Sequence, residues 1–132
     1  MPVQASVELN LLVWSVALCV LQMLIHVITA QGAVGLKPLI GNREGFPELK
    51  GIAGRALRAH GNMVANLVLF ASLVLVVALT GKANAMTALG AELFFWGRLV
   101  YAVVYLIGIP WVRTIFWGIS IVGLVIIFAQ VV

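Results

Sequence analysis

The chain has 132 residues, 64% of them hydrophobic and only 9% charged, with a mean hydropathy of +1.18, whereas soluble domains carry about 25% charged residues. A soluble globule is excluded, and four membrane helices of about 20 residues each leave room for one substantial loop but no second domain. The net charge of +4 does not point to nucleic acid, because the eight Lys and Arg are scattered among apolar runs and form no basic soluble face.

The first span, Leu9 to Ala30, is 22 uncharged residues, about 33 Å as a helix and long enough to cross a ~30 Å hydrocarbon core. No Lys or Arg precedes it, and it exceeds the ~7–15-residue core of a signal peptide, so it is expected to stay as a membrane helix. Cys19 within it is the sole cysteine, which excludes an intrachain disulfide and fits a small buried thiol. Gln31 to His60 then carries Lys37, Arg43, Lys50, Arg55 and Arg58 among Gly and Pro punctuation, and reads as the main loop. The uncharged run Gly61 to Gly81 is the second span, with its helix expected to start near Glu48 or Lys50. Lys82 to Asn84 makes a tight turn. Met86 to Ile107 is the third span, apolar except for Glu92 and Arg98, and it is broken by Gly108, Ile109 and Pro110. Thr114 to Val132 is the fourth, with the Trp111 and Trp117 rings placed for an interfacial belt. The expected fold is an all-α integral membrane protein, a four-transmembrane-helix bundle forming one domain over 1–132 with helices at about 9–30, 50–81, 86–107 and 114–132.

Five basic residues lie between the first two spans and Arg113 lies between the last two, against Lys82 alone on the opposite side. By the positive-inside rule, both termini are expected to face away from the cytoplasm. Arg98 sits about ten residues from Ile107, too deep to face lipid, and requires shelter by protein or water.

Two constellations stand out. In GRALRAHGNMVANLVLF, residues 54–70, Arg55, Arg58, Asn62 and either Ala65 or Asn66 follow helical steps of three and four and form a polar stripe. Positive-inside anchors account for the arginines but not for Asn62 and Asn66, whose amides would go unsatisfied against lipid. In RLVYAVVYLIGIPWVRT, residues 98–114, Arg98, Tyr101 and Tyr105 share one helix face, and Arg113 follows the break. Elsewhere, Gln22 and His26 are spaced to bond each other or a neighbouring helix. Glu92 is placed to pair with a basic group across a subunit contact. His26 and His60 lie on separate segments, so no metal site is expected.

Together, RALRAHGN followed by Asn66 and Phe70, then Arg98 and Tyr105 on the third helix and Arg113 just before the fourth, resemble the membrane-associated proteins in eicosanoid and glutathione metabolism, the MAPEG family. The segment YLIGIPWVR resembles bacterial members, and the overall pattern resembles the microsomal glutathione transferases. The resemblance implies a homotrimer embedded in membrane lipid, with glutathione as cosubstrate bound between subunits near the cytoplasmic side. It implies that Arg58, His60, Asn62, Asn66, Arg98, Tyr101 and Tyr105 bind glutathione. Arg113 would stabilise the thiolate, and Thr114 would place a hydroxyl near the same sulfur. The chain departs from the family pattern at Ala65, where a Glu usually stands three residues after the Asn, and at Gly61, where one glutathione-binding branch has Arg. Asn66, one position along, offers a neutral acceptor in place of the carboxylate.

The implied function is a glutathione-dependent transferase or peroxidase acting on lipophilic electrophiles. The alternative is a non-catalytic protein of the same fold that binds a lipid or a partner. A small multidrug-type exporter also has four short helices but requires a carboxylate in the first, and Leu9 to Ala30 has none.

Overall fold

A computed structural model describes residues 6–132, so the first five residues of the expected 1–132 domain lie outside the described residues. The elements are α1 (Val7–Val34), α2 (Leu36–Ile40), α3 (Gly51–Thr80), α4 (Ala85–Ile107) and α5 (Pro110–Val131), with no strand among the described residues. Four of the five are long and apolar enough to cross a membrane, and the protein is an integral, multi-pass membrane protein. Two ends of the bundle follow from the chain path: a terminal end, with the start of α1 and the end of α5, and a loop end, with residues 35–50.

Helix starts are set by local chemistry. Ser6 caps α1, its side chain accepting from the Leu9 N–H, which draws Val7 and Glu8 into the helix. The first helix is therefore not free of carboxylates, as the sequence alone implied; Glu8 lies in its first turn. Asn84 and Thr87 form a reciprocal capping box at the start of α4. Gly108, at φ 92° and donating its N–H to the Val104 carbonyl, closes α4 in a left-handed turn. Pro110 then stands at the first position of α5, where its missing N–H costs nothing. The fourth span thus begins four residues before the expected Thr114, and Arg113 belongs to the helix. The short α2 inside the loop was not anticipated. At 30 residues, α3 runs about 45 Å and exceeds a ~30 Å hydrocarbon core by roughly ten residues. That surplus carries Arg55 and Arg58 beyond the apolar layer.

The central helices are α3 and α4, which touch each other and both α1 and α5, whereas α1 and α5 do not meet. Small residues set the closest approach: a Cβ at Gly90 would stand 2.6 Å from the Gly123 carbonyl, and one at Gly123 would collide with the Gly90 carbonyl. Towards the terminal end, Leu11, Phe70, Phe94, Leu124 and Ile127 form the main core, with the Phe70 and Phe94 rings stacked 4.0 Å apart. Leu18, Met63 and Ala102 make the next layer, and Ala59, Tyr101 and Tyr105 the one after. The buried Glu8 accepts from the Thr87 hydroxyl at 2.6 Å and ties α1 to α4. Lys82 Nζ donates to the Val131 carbonyl, and the Asn84 amide to Gln130, fastening the α3–α4 turn to the end of α5.

Candidate functional site

Three of the side chains singled out in the sequence converge at the loop end. The Arg58 Nε donates to the Tyr105 hydroxyl at 3.1 Å, and the Arg113 guanidinium lies over the Tyr105 ring, 4.5 Å from its centroid. One phenol from α4 thus bridges a cation from α3 and a cation from α5. The early start of α5 makes this possible, because Arg113 is held in a rigid first turn close to the end of α4. Tyr105 also meets Tyr101 edge to face at 5.5 Å.

Beside this cluster lies an open pocket of about 270 Å³ lined by Asn62, Tyr101, Arg113, Thr114 and Trp117. No carboxylate lines it. Asn66 donates to the Asn62 backbone carbonyl at 2.8 Å and to its side-chain oxygen at 3.2 Å, so it holds Asn62 in place. Asn66 is itself buried, while Ala65 is exposed on the outside of the chain. The Thr114 hydroxyl donates to the Pro110 carbonyl and is exposed at the pocket wall. Farther along the same α3–α5 seam, an apolar groove of about 410 Å³ is lined by Leu69, Leu73, Leu124, Val125 and Phe128, among others.

Five of the named residues do not line this pocket: Arg58, Tyr105 and Asn66, which stand beside it, and Arg98 and His60, which face elsewhere. Arg98 is 1% exposed and lies over the Tyr101 ring at 4.2 Å, so Tyr101, which lines the pocket, has Arg98 on its ring. His60 faces α1, its ring 6.1 Å from that of His26 and nearly parallel to it. Those two histidines are therefore neighbours, although they come from separate segments. No group of three or more His, Cys, Asp or Glu converges among the described residues. Gln22 and His26 are not bonded to each other: both amide atoms of Gln22 lack a protein partner. Glu92 accepts from Trp96 Nε1 one turn along its own helix at 2.7 Å.

Two residues gained roles that the sequence reading had not given them. Trp117, placed in an interfacial belt by its position, lines the pocket one turn after Arg113; the signal becomes visible once α5 starts at Pro110. Arg55, grouped with the polar stripe, donates from Nε to the Leu106 carbonyl at 3.1 Å. A cation there satisfies an orphan carbonyl at the C-terminus of α4 and complements its dipole.

One family model, described as the MAPEG family, matches residues 11–132. The chain belongs to the MAPEG family. Members of this family generally use glutathione. No curated protein and no solved structure matches the chain.

Proposed function

We propose that the protein is a glutathione-dependent membrane transferase or peroxidase acting on lipophilic electrophiles, working as a homotrimer with its whole chain as one membrane domain. The observation that carries this reading is the Arg58–Tyr105–Arg113 cluster at the mouth of the Asn62, Tyr101, Thr114 and Trp117 pocket. Glutathione is a peptide with two carboxylates and a thiol that reacts as thiolate, and two fixed cations about one phenol suit such an anion. When bound, it supplies the nucleophilic sulfur. Arg58 holds a carboxylate through its remaining guanidinium donors, and Tyr105 fixes the position of that guanidinium. Asn62, braced by Asn66, offers its side chain to the peptide backbone. Arg113 supplies a permanent positive charge that favours thiolate over thiol, and the Thr114 hydroxyl would donate to the same sulfur after turning from its bond to the Pro110 carbonyl. The apolar groove along the α3–α5 seam gives a lipophilic electrophile a route from the bilayer to this mouth. The positive-inside pattern puts the loop end in the cytoplasm, where glutathione is available, and both termini on the other side.

A second reading, a non-catalytic MAPEG-fold protein that binds a lipid or partner, draws on one observation: no carboxylate lines the pocket to receive the glutathione amino group. Titrating the purified protein with glutathione in a calorimeter separates the two. Saturable binding at millimolar glutathione or tighter, together with turnover of a model aryl halide, supports the first reading. Absence of both turns the assignment to the second.

A further inference from the structure

Among the described residues, six buried side-chain polar atoms have no protein hydrogen-bond partner: Nε2 and Oε1 of Gln22, Nδ1 of His26, and all three guanidinium nitrogens of Arg98. They are not scattered. Gln22 and His26 are one turn apart on α1, and Glu8 bonded to Thr87 sets a parallel register of 87 − 8 = 79 residues between α1 and α4. The same offset puts Cys19 level with Arg98 (98 − 19 = 79) and Gln22 level with Tyr101. The Cys19 sulfur is within electrostatic reach of the guanidinium and packs in the same layer as Met63 and Ala102. Across from Gln22, α3 presents only Ala56 and Ala59, and between them lies a small cavity of about 10 Å³ bounded also by Ile25 and Leu106.

A buried guanidinium or amide with no hydrogen-bond partner is strongly disfavoured. A second subunit cannot relieve it here, because Arg98 and Gln22 are 1% and 5% exposed within the single chain. The partner has to be small. A cavity of this size takes about one water, and its wall carries a donor and an acceptor on the same amide.

We infer that the α1–α3–α4 interface is a hydrated polar seam, a water-binding site running from the His26–His60 pair at the loop end, past Gln22, to Arg98 and Cys19 in the middle of the membrane. It lies on the α1 side of Tyr101, whereas the open pocket lies towards α5, so it stands independently of the glutathione reading. Bound water solvates the Arg98 guanidinium at depth, and that guanidinium, seated on the Tyr101 ring, stands behind the wall of the pocket that Tyr101 forms. Ala56 and Ala59 are small because a larger residue would displace the water at Gln22.

The sole cysteine is a built-in reporter. Its S–H stretch absorbs where no other protein group does, and the proton exchanges with D2O only where water reaches the sulfur. The expected result, for full-length protein in bilayers transferred to D2O, is conversion of the Cys19 band well before the slowest backbone amides of α1 and α4 exchange. Gln22→Leu, which removes the amide, and Ala56→Val, which fills the cavity from α3, should each slow that conversion at least tenfold with helix content unchanged. Persistence of the S–H band for as long as the slowest amides would overturn the proposal. So would fast exchange that neither substitution slows, since water would then reach Cys19 from the lipid side. Should one variant fail to fold, the other decides.

Discussion

Arg113 and Arg58 meet the same phenol by different routes, and the difference separates their roles. Arg58 spends its Nε on the Tyr105 hydroxyl and keeps its outer nitrogens for an anion; Arg113 uses the face of the same ring and keeps all of its N–H donors. With Arg113 as the group that stabilises thiolate, Arg113→Leu is expected to lower turnover of a model aryl halide by about a hundredfold, comparable to losing one oxyanion donor, while glutathione affinity changes far less. The ultraviolet thiolate band of bound glutathione should vanish with it. Arg58→Leu removes a charge-assisted bond worth about 1.5–3 kcal/mol, so it should weaken binding by about tenfold to a hundredfold, read by calorimetry, with turnover at saturation largely kept. Persistence of the thiolate band and of turnover in the Arg113 variant would remove that residue from the chemistry. Ala65 tests the ligand itself. Its side chain is exposed on the outside of the chain while the neighbouring Asn66 is buried, so Ala65→Glu adds a carboxylate without burying it in the subunit. Glutathione affinity is expected to rise about tenfold if the new group meets the peptide's amino group. Unchanged affinity in a protein of unchanged oligomeric state would indicate a site built for another ligand.

At the level of elements, the α4–α5 pair sets the geometry on which Arg113 depends. The helices approach so closely at Gly90 and Gly123 that backbone nearly touches backbone. Gly123→Ala is expected to destabilise by about 1–3 kcal/mol through overpacking, seen as a lower melting temperature in detergent. Gly61→Ala, where an added Cβ meets nothing within 4 Å, should leave stability unchanged or raise it by up to roughly 1 kcal/mol from helix propensity. Equal effects of the two would contradict this packing. Apolar length made the four spans legible in the sequence, and the depth of Arg98 alone showed that it must be sheltered. Helix starts were less legible because they depend on single capping contacts. Ser6 and Pro110 moved two of them outward, bringing Glu8 and Arg113 into helices. The site was legible as two helical stripes, but a stripe does not say which neighbour it faces: Asn66, Arg98 and His60 turned towards other parts of the bundle, and Trp117 turned towards the pocket. Gln22 and His26, spaced as partners, are not bonded to each other: Gln22 stands beside Ala56, Ala59 and Leu106, and the His26 ring faces that of His60.

For the whole molecule, the single chain leaves its candidate site unfinished. The pocket is open on the outside of the bundle, with Thr114 exposed and Asn62 half-buried along its wall. Because α1 and α5 do not meet, one flank of α4 and the seam beside α5 are free to receive another helix. A bare α1, with Trp14, Leu21, Leu24 and Ile28 all exposed, has an apolar surface suited to lie there. A second copy docking α1 against the α3–α5 seam of the first would close both the pocket and the groove. This contact is heterologous, so each subunit gives one surface and receives the other, and it closes into a ring where the rotation from one copy to the next divides a full turn. Three copies are expected. Native mass spectrometry from mild detergent should show trimer as the main species, and Thr114→Lys should shift it towards monomer by placing a charge in the covered wall. A distribution holding only monomer and dimer for the parent protein, or a Thr114→Lys variant that stays fully trimeric, would place the pocket away from the subunit contact and leave it facing lipid.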